Sequence, residues 1–147
     1  MKIAIASDHG GFAFKQVLAQ WFESKEMEFH DFGTNSADSC DYPDFGIPAA
    51  KGVSEGDFDL GILICNNGIG MSILANKIPG IKDAVVYSES SAKATKEHHD
   101  SNVLCLGGQE FPNDQLLKFV QIWLSSKFQG GRHKRRIQKV ESLDSPS

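Results

Sequence analysis

The sequence predicts an α/β protein with a Rossmann-like three-layer sandwich, in which about five parallel strands are covered by helices on both faces. Short apolar stretches alternate along the chain with stretches in which apolar residues recur every three to four positions, and this alternation is typical of strands and amphipathic helices. The chain has 147 residues, of which 40% are apolar, so we expect one domain over 1–147 with a substantial core.

The first half of the chain alternates strands with helices. Small and β-branched apolar residues mark the strands, and the spacing of Phe14, Leu18 and Phe22 places one helix face against the core. Pro43 suits the first turn of a helix and Gly56 suits the position after a helix end. The predicted elements are a strand at 2–7, a helix around 14–22, a strand at 28–32, a helix at 43–53, a strand at 60–65 and a short helix after Gly70.

The second half continues the same alternation. Leu116, Val120 and Trp123 fall on one helix face, and a basic segment follows Gly130-Gly131. The predicted elements are a strand at 84–87, a helix at 90–99, a strand at 102–106, a helix around 116–124, a helix at about 131–143 and frayed residues at 144–147.

Composition excludes several classes of function. A net charge of −4 argues against nucleic acid as the main partner, and no apolar run is long enough to cross a bilayer, so we expect no membrane partner. The first residues lack the pattern of a signal peptide, and we expect a cytoplasmic protein. Cys40, Cys65 and Cys105 are far apart and form no CxxC pair, which favours reduced thiols and no metal site.

The strand at 60–65 ends in Cys65, and Asn66-Asn67-Gly68-Ile69-Gly70 follows at once. In an open α/β fold the carboxyl ends of the strands form the edge where ligands bind. The glycines permit successive backbone N–H groups to converge on an anion, and a thiol in such a setting is readily activated. A buried apolar cysteine followed by a tight turn is the other interpretation of this segment.

Three further groups could carry chemistry. Asp8-His9 follows the first strand and is suited either to capping a helix or to binding a ligand near Gly10-Gly11. His98-His99 ends a predicted helix, where protonated histidine is favoured but is often only a surface residue. Arg132 and Arg136 lie one helical turn apart and could form a phosphate clamp or a solvated basic face.

Taken together, these segments resemble the ribose-5-phosphate isomerase B family, which also contains the galactose-6-phosphate isomerase subunits. The resemblance covers essentially the full length, and its specificity comes from the order and spacing of short motifs. These motifs are Ser-Asp-His-Gly-Gly-Phe at 7–12, Asp-Tyr-Pro at 41–43, Ile-Cys-Asn-Asn-Gly-Ile-Gly at 64–70, Ala-Asn-Lys at 75–77, His-His-Asp-Ser-Asn-Val-Leu at 98–104 and Gly-Gly-Arg-His at 130–133.

The resemblance implies interconversion of ribose 5-phosphate and ribulose 5-phosphate in the pentose phosphate pathway, with no metal and no cofactor. It implies that Cys65 moves a proton between C2 and C1 of the sugar, that His98 acts in ring opening and that Asp8 lies beside the reacting hydroxyls. The substrate-binding residues that it implies are His9, Tyr42, Asn66, Asn67, Gly68, Ile69, Gly70, His99, Gln109, Arg132 and Arg136.

The resemblance also implies a homodimer with shared active sites, in which His98 and the two arginines come from the neighbouring subunit. The C-terminal helix at about 131–143 would then pack on the partner, and dimers could pair further into tetramers.

Several positions depart from the common pattern of that family. Asn66 and Asn67 stand where glycine and then threonine or serine are usual, His99 replaces an asparagine and Gln109 replaces a frequent arginine. Met71 occupies the position at which one branch carries a glutamate base, which leaves Cys65 as the base here. Two alternatives stay open at this point: an isomerase of a six-carbon sugar phosphate such as allose 6-phosphate, and a non-catalytic phosphosugar-binding module.

Overall fold

The computed structural model describes residues 1–144 of the chain. These residues form five strands and six α-helices, in the alternating order that the sequence predicts. The elements are β1 (Lys2–Ser7), α1 (Phe12–Ser24), β2 (Glu28–Asp31), α2 (Tyr42–Ser54), β3 (Leu60–Cys65), α3 (Ile69–Asn76), β4 (Asp83–Val85), α4 (Glu89–Glu97), β5 (Val103–Gly107), α5 (Asn113–Ser125), α6 (Arg132–Glu141) and a final 3₁₀ turn (Ser142–Asp144).

The five strands form one sheet in the order β2-β1-β3-β5-β4, and every neighbouring pair is parallel. The chain leaves β1 on one side to form β2 and then returns to the other side of β1 to form β3. In parallel sheets, ligands bind at the carboxyl ends of the strands where the direction of winding reverses. That point lies between β1 and β3, where Ser7 pairs with Ile64 immediately before Cys65.

Helices cover both faces of the sheet, which confirms the predicted three-layer sandwich. On one face, α1, α4 and α5 pack on the larger apolar side chains of the strands, with Trp123 at the centre of that core. On the other face, α2 and α3 pack on small residues such as Ala4 and Ala6. No helix within residues 1–144 is both long and apolar enough to span a membrane.

Several predicted boundaries shift for local reasons. β4 is Asp83–Val85 rather than 84–87, because the N–H groups of Tyr87 and Ser88 donate to Ser91 Oγ and begin the cap of α4. α3 starts at Ile69, before Gly70, because Gly68 adopts a φ of 84° and forms its N-cap. The frayed end predicted at 144–147 is wrong for Asp144, whose carboxylate accepts the Gly80 N–H at 2.9 Å; 145–147 lie outside the described residues.

One buried acid lies on the edge strand β4. Both carboxylate oxygens of Asp83 are shielded from solvent, and within residues 1–144 neither makes a well-formed hydrogen bond. Burial raises the pKa of Asp83 from 3.8 to about 6, while the Ser72 hydroxyl and the Cys105 thiol oppose that shift. The complete burial of the Cys105 thiol, and in addition the neighbouring charge of Asp83, raise the pKa of Cys105. An ionised Asp83 therefore destabilises the native state.

Replacing Asp83 with asparagine is expected to stabilise the protein near neutral pH. When a carboxyl group has a higher pKa in the folded than in the unfolded chain, the folded protein loses stability as the pH rises from the unfolded-state pKa to the folded-state pKa. The variant should escape this loss, so its advantage in unfolding free energy should be roughly 1–3 kcal/mol larger at about pH 7.5 than at about pH 4. Urea unfolding at both pH values measures the difference. Asp114→Asn, an exposed carboxylate on α5, is the control and should show no such pH dependence.

Candidate active site

Three loops meet at the carboxyl edge of the sheet, after β1, β3 and β5. The N–H of Gly108 donates to the carbonyl of Cys65 at 2.8 Å, and the N–H of Gln109 donates to the carbonyl of Asn66 at 3.1 Å. The side-chain amide of Gln109 donates to the carbonyl of Gly10 at 2.9 Å. Gln109, a predicted substrate-binding residue, therefore holds the three loops together. No local sequence pattern indicates this structural role.

The approach of these loops leaves no room for side chains at two glycines. A Cβ atom at Gly11 would lie 2.6 Å from both the carbonyl oxygen and the Cγ2 atom of Ile64. A Cβ atom at Gly108 would lie 2.8 Å from the carbonyl oxygen of Gly10. Glycine at these positions is needed for close approach rather than for turn geometry.

Asp8 follows β1 and is 6% exposed. Its Oδ1 atom accepts the N–H groups of Gly10 and Gly11, at 2.9 and 3.2 Å, just before α1 begins. Asp8 therefore closes the turn before α1, whereas the N-cap of α1 is Gly11 and has no side-chain cap. Its second oxygen makes no hydrogen bond to residues 1–144, so Asp8 can also contact a ligand.

Cys65 is the last residue of β3 and is 4% exposed. The next residues, Asn66 and Asn67, are exposed, and Gly68 then caps α3 in the left-handed conformation. The side-chain oxygen of Asn67 accepts the Ile69 N–H at 3.0 Å. Because the oxygen is occupied, the amide group of Asn67 is the end that can donate to a substrate oxygen. Cys65 thus ends its strand three residues before the N-cap of α3, next to the loop that carries this side-chain donor.

Tyr42 and His9 lie at the same edge. The Tyr42 ring covers Gly70, since a Cβ atom there would come within 2.6 Å of the ring. Nδ1 of His9 accepts the backbone N–H of Cys40 at 3.2 Å. A neutral His9 therefore carries its proton on Nε2, the other ring nitrogen, which suits it to donate to an anion. No sequence signal connects residues 9 and 40, which lie on separate loops.

The other predicted residues form a second group. His98, His99, His133 and Arg136 line a groove of about 290 Å³ between the end of α4 and α6. The His98 and His133 rings stack with centroids 4.3 Å apart. Loss of hydration lowers the pKa of His133, and the positive charges of His98 and Arg132 lower it further. A groove that gathers cationic groups in this way is suited to an anionic ligand.

The two groups occupy opposite edges of the sheet. α4 starts after the carboxyl end of β4 and returns to the beginning of β5, so its C-terminal His98 lies at the amino edge. Its nine residues span about 13 Å. No hydrogen bond or ion pair within the described part of the chain joins this group to Cys65. The fold of one chain therefore brings together Asp8, His9, Tyr42, Cys65 and the loop at 66–70, but keeps His98 and the arginines apart from them.

Comparison with known proteins shows to which family the sequence and the fold belong. Residues 3–140 match the family model of the ribose/galactose isomerases. The chain belongs to this family. Ribose-5-phosphate isomerase B of Escherichia coli is 36% identical over 143 residues, which cover 97% of this chain and 96% of the relative.

Solved structures of ribose/galactose isomerase family proteins share the fold closely. The ribose-5-phosphate isomerase B of Clostridium thermocellum is 44% identical, with a TM-score of 0.95 over 98% of this chain and 97% of that one. The enzyme from Mycoplasma genitalium, solved with bound ribulose-5-phosphate, is 38% identical, with a TM-score of 0.94 over 99% of this chain and 97% of that one. The conserved fold extends over both groups of candidate residues.

A methyl group at Gly11 is expected to disrupt this edge. Gly11→Ala places a Cβ atom against the backbone of Ile64, which cannot move without shifting β3. We expect a loss of unfolding free energy of about 1–3 kcal/mol. Thermal and urea unfolding measure it. Gly10→Ala is the matched variant, because its nearest contacts, at 3.1 Å to Asn66, require a smaller adjustment. An equal or larger loss for Gly10→Ala would contradict the close-approach argument.

Proposed function

We propose that this protein is a metal-independent aldose–ketose isomerase that interconverts ribose 5-phosphate and ribulose 5-phosphate through an enediolate. The observation that carries the proposal is the position of Cys65 beside Asp8 and the N-terminus of α3, at the switch point of the sheet. Family membership and the ribulose-5-phosphate complex of the Mycoplasma genitalium relative support it. In the established chemistry of such isomerisation, a base moves one proton between adjacent carbons.

Cys65 is the proposed base. The proton on the carbon next to a sugar carbonyl is weakly acidic, so its removal requires a positioned base and a site for the negative charge that develops. The thiolate of Cys65 removes the C2 proton and returns it to C1. The amide of Asn67 and the first N–H groups of α3 stabilise the enediolate oxygens, and loss of one such donor costs about 3–4 kcal/mol in comparable sites. Asp8 contacts the reacting hydroxyls through its second oxygen.

The remaining groups come from a second copy of the chain in this proposal. His98 and the arginines lie at the amino edge of their own sheet, opposite Cys65. They can therefore reach the carboxyl edge of a sheet only if that sheet belongs to another copy of the chain. His98 opens the sugar ring, and Arg132 and Arg136 bind the phosphate together with Nε2 of His9. The phosphate lies away from the reacting carbons, so the free energy of its binding can be used to hold those carbons in position beside Cys65. The active unit is then a homodimer, with α6 packed on the partner, in the cytoplasm.

Substitution of Cys65 by alanine should reduce isomerase activity at least a thousandfold, because the base is lost while the binding residues remain. Coupled assays with ribose 5-phosphate, with and without EDTA, measure the rate and its independence of metal. Cys40→Ala is the matched control and should keep close to the wild-type rate. The backbone N–H that donates to Nδ1 of His9 at 3.2 Å remains in this variant, and only the long contact of the Cys40 Sγ atom with the same nitrogen, at 3.9 Å, is lost. A Cys65→Ala enzyme of wild-type rate would overturn the mechanism. Parallel turnover of allose 6-phosphate tests the substrate assignment.

Mixing two inactive variants tests the shared site. Cys65→Ala and Arg132→Ala subunits should each be inactive alone, whereas heterodimers should contain one site with neither substitution. We expect recovery of up to about one quarter of wild-type activity after statistical exchange of subunits. Subunit exchange is followed by differently tagged chains. Complete exchange without recovered activity would mean that each site is built from one chain.

A further inference from the structure

An ion pair between α1 and β2, with its lysine buried and its aspartate 29% exposed, has no place in the proposed chemistry. Lys15, in the first turns of α1, is completely buried, and its ammonium lies 2.6 Å from Oδ2 of Asp31. The Lys15 ammonium also lies over the Phe12 ring, 5.5 Å from its centroid. A buried lysine is costly unless its charge is paired, and an apolar pair of similar size is often equally stable. The pair therefore calls for an explanation other than stability.

The other carboxylate oxygen of Asp31 links the ion pair to β1 through the backbone of Gly33. Oδ1 accepts the N–H of Gly33 at 2.8 Å. The carbonyl of Gly33 in turn accepts the Ser7 N–H at 2.7 Å, and the Thr34 N–H donates to the carbonyl of Ser7 at 2.7 Å. The loop after β2 thus holds both backbone groups of Ser7, beyond the last paired residues of the β1–β2 ladder.

Ser7 immediately precedes Asp8, whose own N–H donates to the carbonyl of Ile64 at 3.2 Å. The backbone at the end of β1 is therefore fixed from both sides, by the loop after β2 and by β3. The ion pair sets the orientation of the Asp31 carboxylate, and through Gly33 it sets the position of this peptide. A shift of about 1 Å in a reacting group can lower a rate by two orders of magnitude.

We propose that Lys15 and Asp31 are positioning residues for Asp8: the ion pair fixes the Gly33 peptide on Ser7 and so holds the Asp8 carboxylate in the geometry that the isomerisation requires. This inference rests on the proposed function, because it assigns Asp8 to the reacting hydroxyls. The link from Lys15 to Ser7 depends only on the observed contacts and does not require the proposed function.

The double variant Lys15→Met/Asp31→Leu tests whether the ion pair affects catalysis more than it affects stability. It replaces the ion pair by apolar side chains of similar size, so loss of the ionic contact itself should be nearly neutral. Asp31→Leu also removes the acceptor of the Gly33 N–H, so we expect the melting temperature to fall by several degrees at most. We expect kcat to fall about tenfold or more, with KM changed less than threefold because the proposed phosphate contacts of Arg132 and Arg136 remain. In an Asp8→Asn background the same double substitution should lower kcat by less than twofold, since the residue that the pair positions is already altered.

Asp59→Leu is the matched control. The Asp59 carboxylate holds the opposite end of β1 by accepting the Lys2 N–H at 2.8 Å, so its removal should leave kcat unchanged. A stable Lys15→Met/Asp31→Leu enzyme with wild-type kcat would overturn the proposal, as would a full additional loss in the Asp8→Asn background. If the double variant does not fold, Asp31→Asn, which keeps an acceptor for Gly33 but removes the charge, is measured in the same way.

Amide hydrogen exchange provides a readout that does not depend on activity. Peptides that cover 5–9 and 31–36 should exchange at least tenfold faster in Lys15→Met/Asp31→Leu, while those of β3 and β5 stay protected. Unchanged exchange would refute the positional argument even for a protein without isomerase activity. Faster exchange together with an inactive wild-type enzyme would instead support the positional argument and reject the proposed function.

Discussion

The architecture of the site depends on one constraint, the close approach of three backbone loops at the carboxyl edge of the sheet. Gly11 and Gly108 allow this approach because neither position has space for a Cβ atom. The carbonyls of Cys65 and Asn66 accept N–H groups from the loop after β5, and Gln109 adds its contact to Gly10. The backbone around Cys65 is therefore held mainly by backbone–backbone contacts, which side-chain rotation cannot release. Together with the bond from the Asp8 N–H to the carbonyl of Ile64, these contacts fix the relative backbone positions of Cys65 and Asp8.

The same topology that assembles this edge separates it from the cationic groove. A helix that connects parallel strands must run back along the sheet, so residues at its end lie at the amino edge. His98 is such a residue, and α6 adds its arginines at the same place. A chain of this length can join the two groups most simply by association of two copies. The shared site of the proposed homodimer thus follows from how parallel strands are connected. In the proposed function, the basic charge of α6 binds the anionic phosphate of the substrate.

The sequence predicted the fold well because strands alternate with helices whose apolar residues are strongly periodic. It also predicted the carboxyl-edge cluster, since an uncharged strand ending in Cys65, Asn66 and two glycines is a local signal. The Lys15–Asp31 pair and the burial of Asp83 had no such signal. A lysine within an amphipathic helix usually faces solvent, and only the crossing of α1 over the end of β2 buries this one. The contact between His9 and Cys40 likewise depends on loop paths that periodicity does not describe.

The departures at 66 and 67 are compatible with catalysis on physical grounds. A threonine or serine in the position of Asn67 could accept the Ile69 N–H through its hydroxyl oxygen and donate through the hydroxyl proton. Asn67 divides these tasks between two atoms, since its oxygen accepts the Ile69 N–H at 3.0 Å and its amide group stays available as a donor. The amide lies farther from the backbone than a hydroxyl would, so it reaches an enediolate oxygen placed slightly farther out. Because Asn66 is exposed, its side chain can point away from the substrate without cost to the core. The loop thus preserves its donor function with a different group, and the backbone N–H groups of α3 remain its constant part.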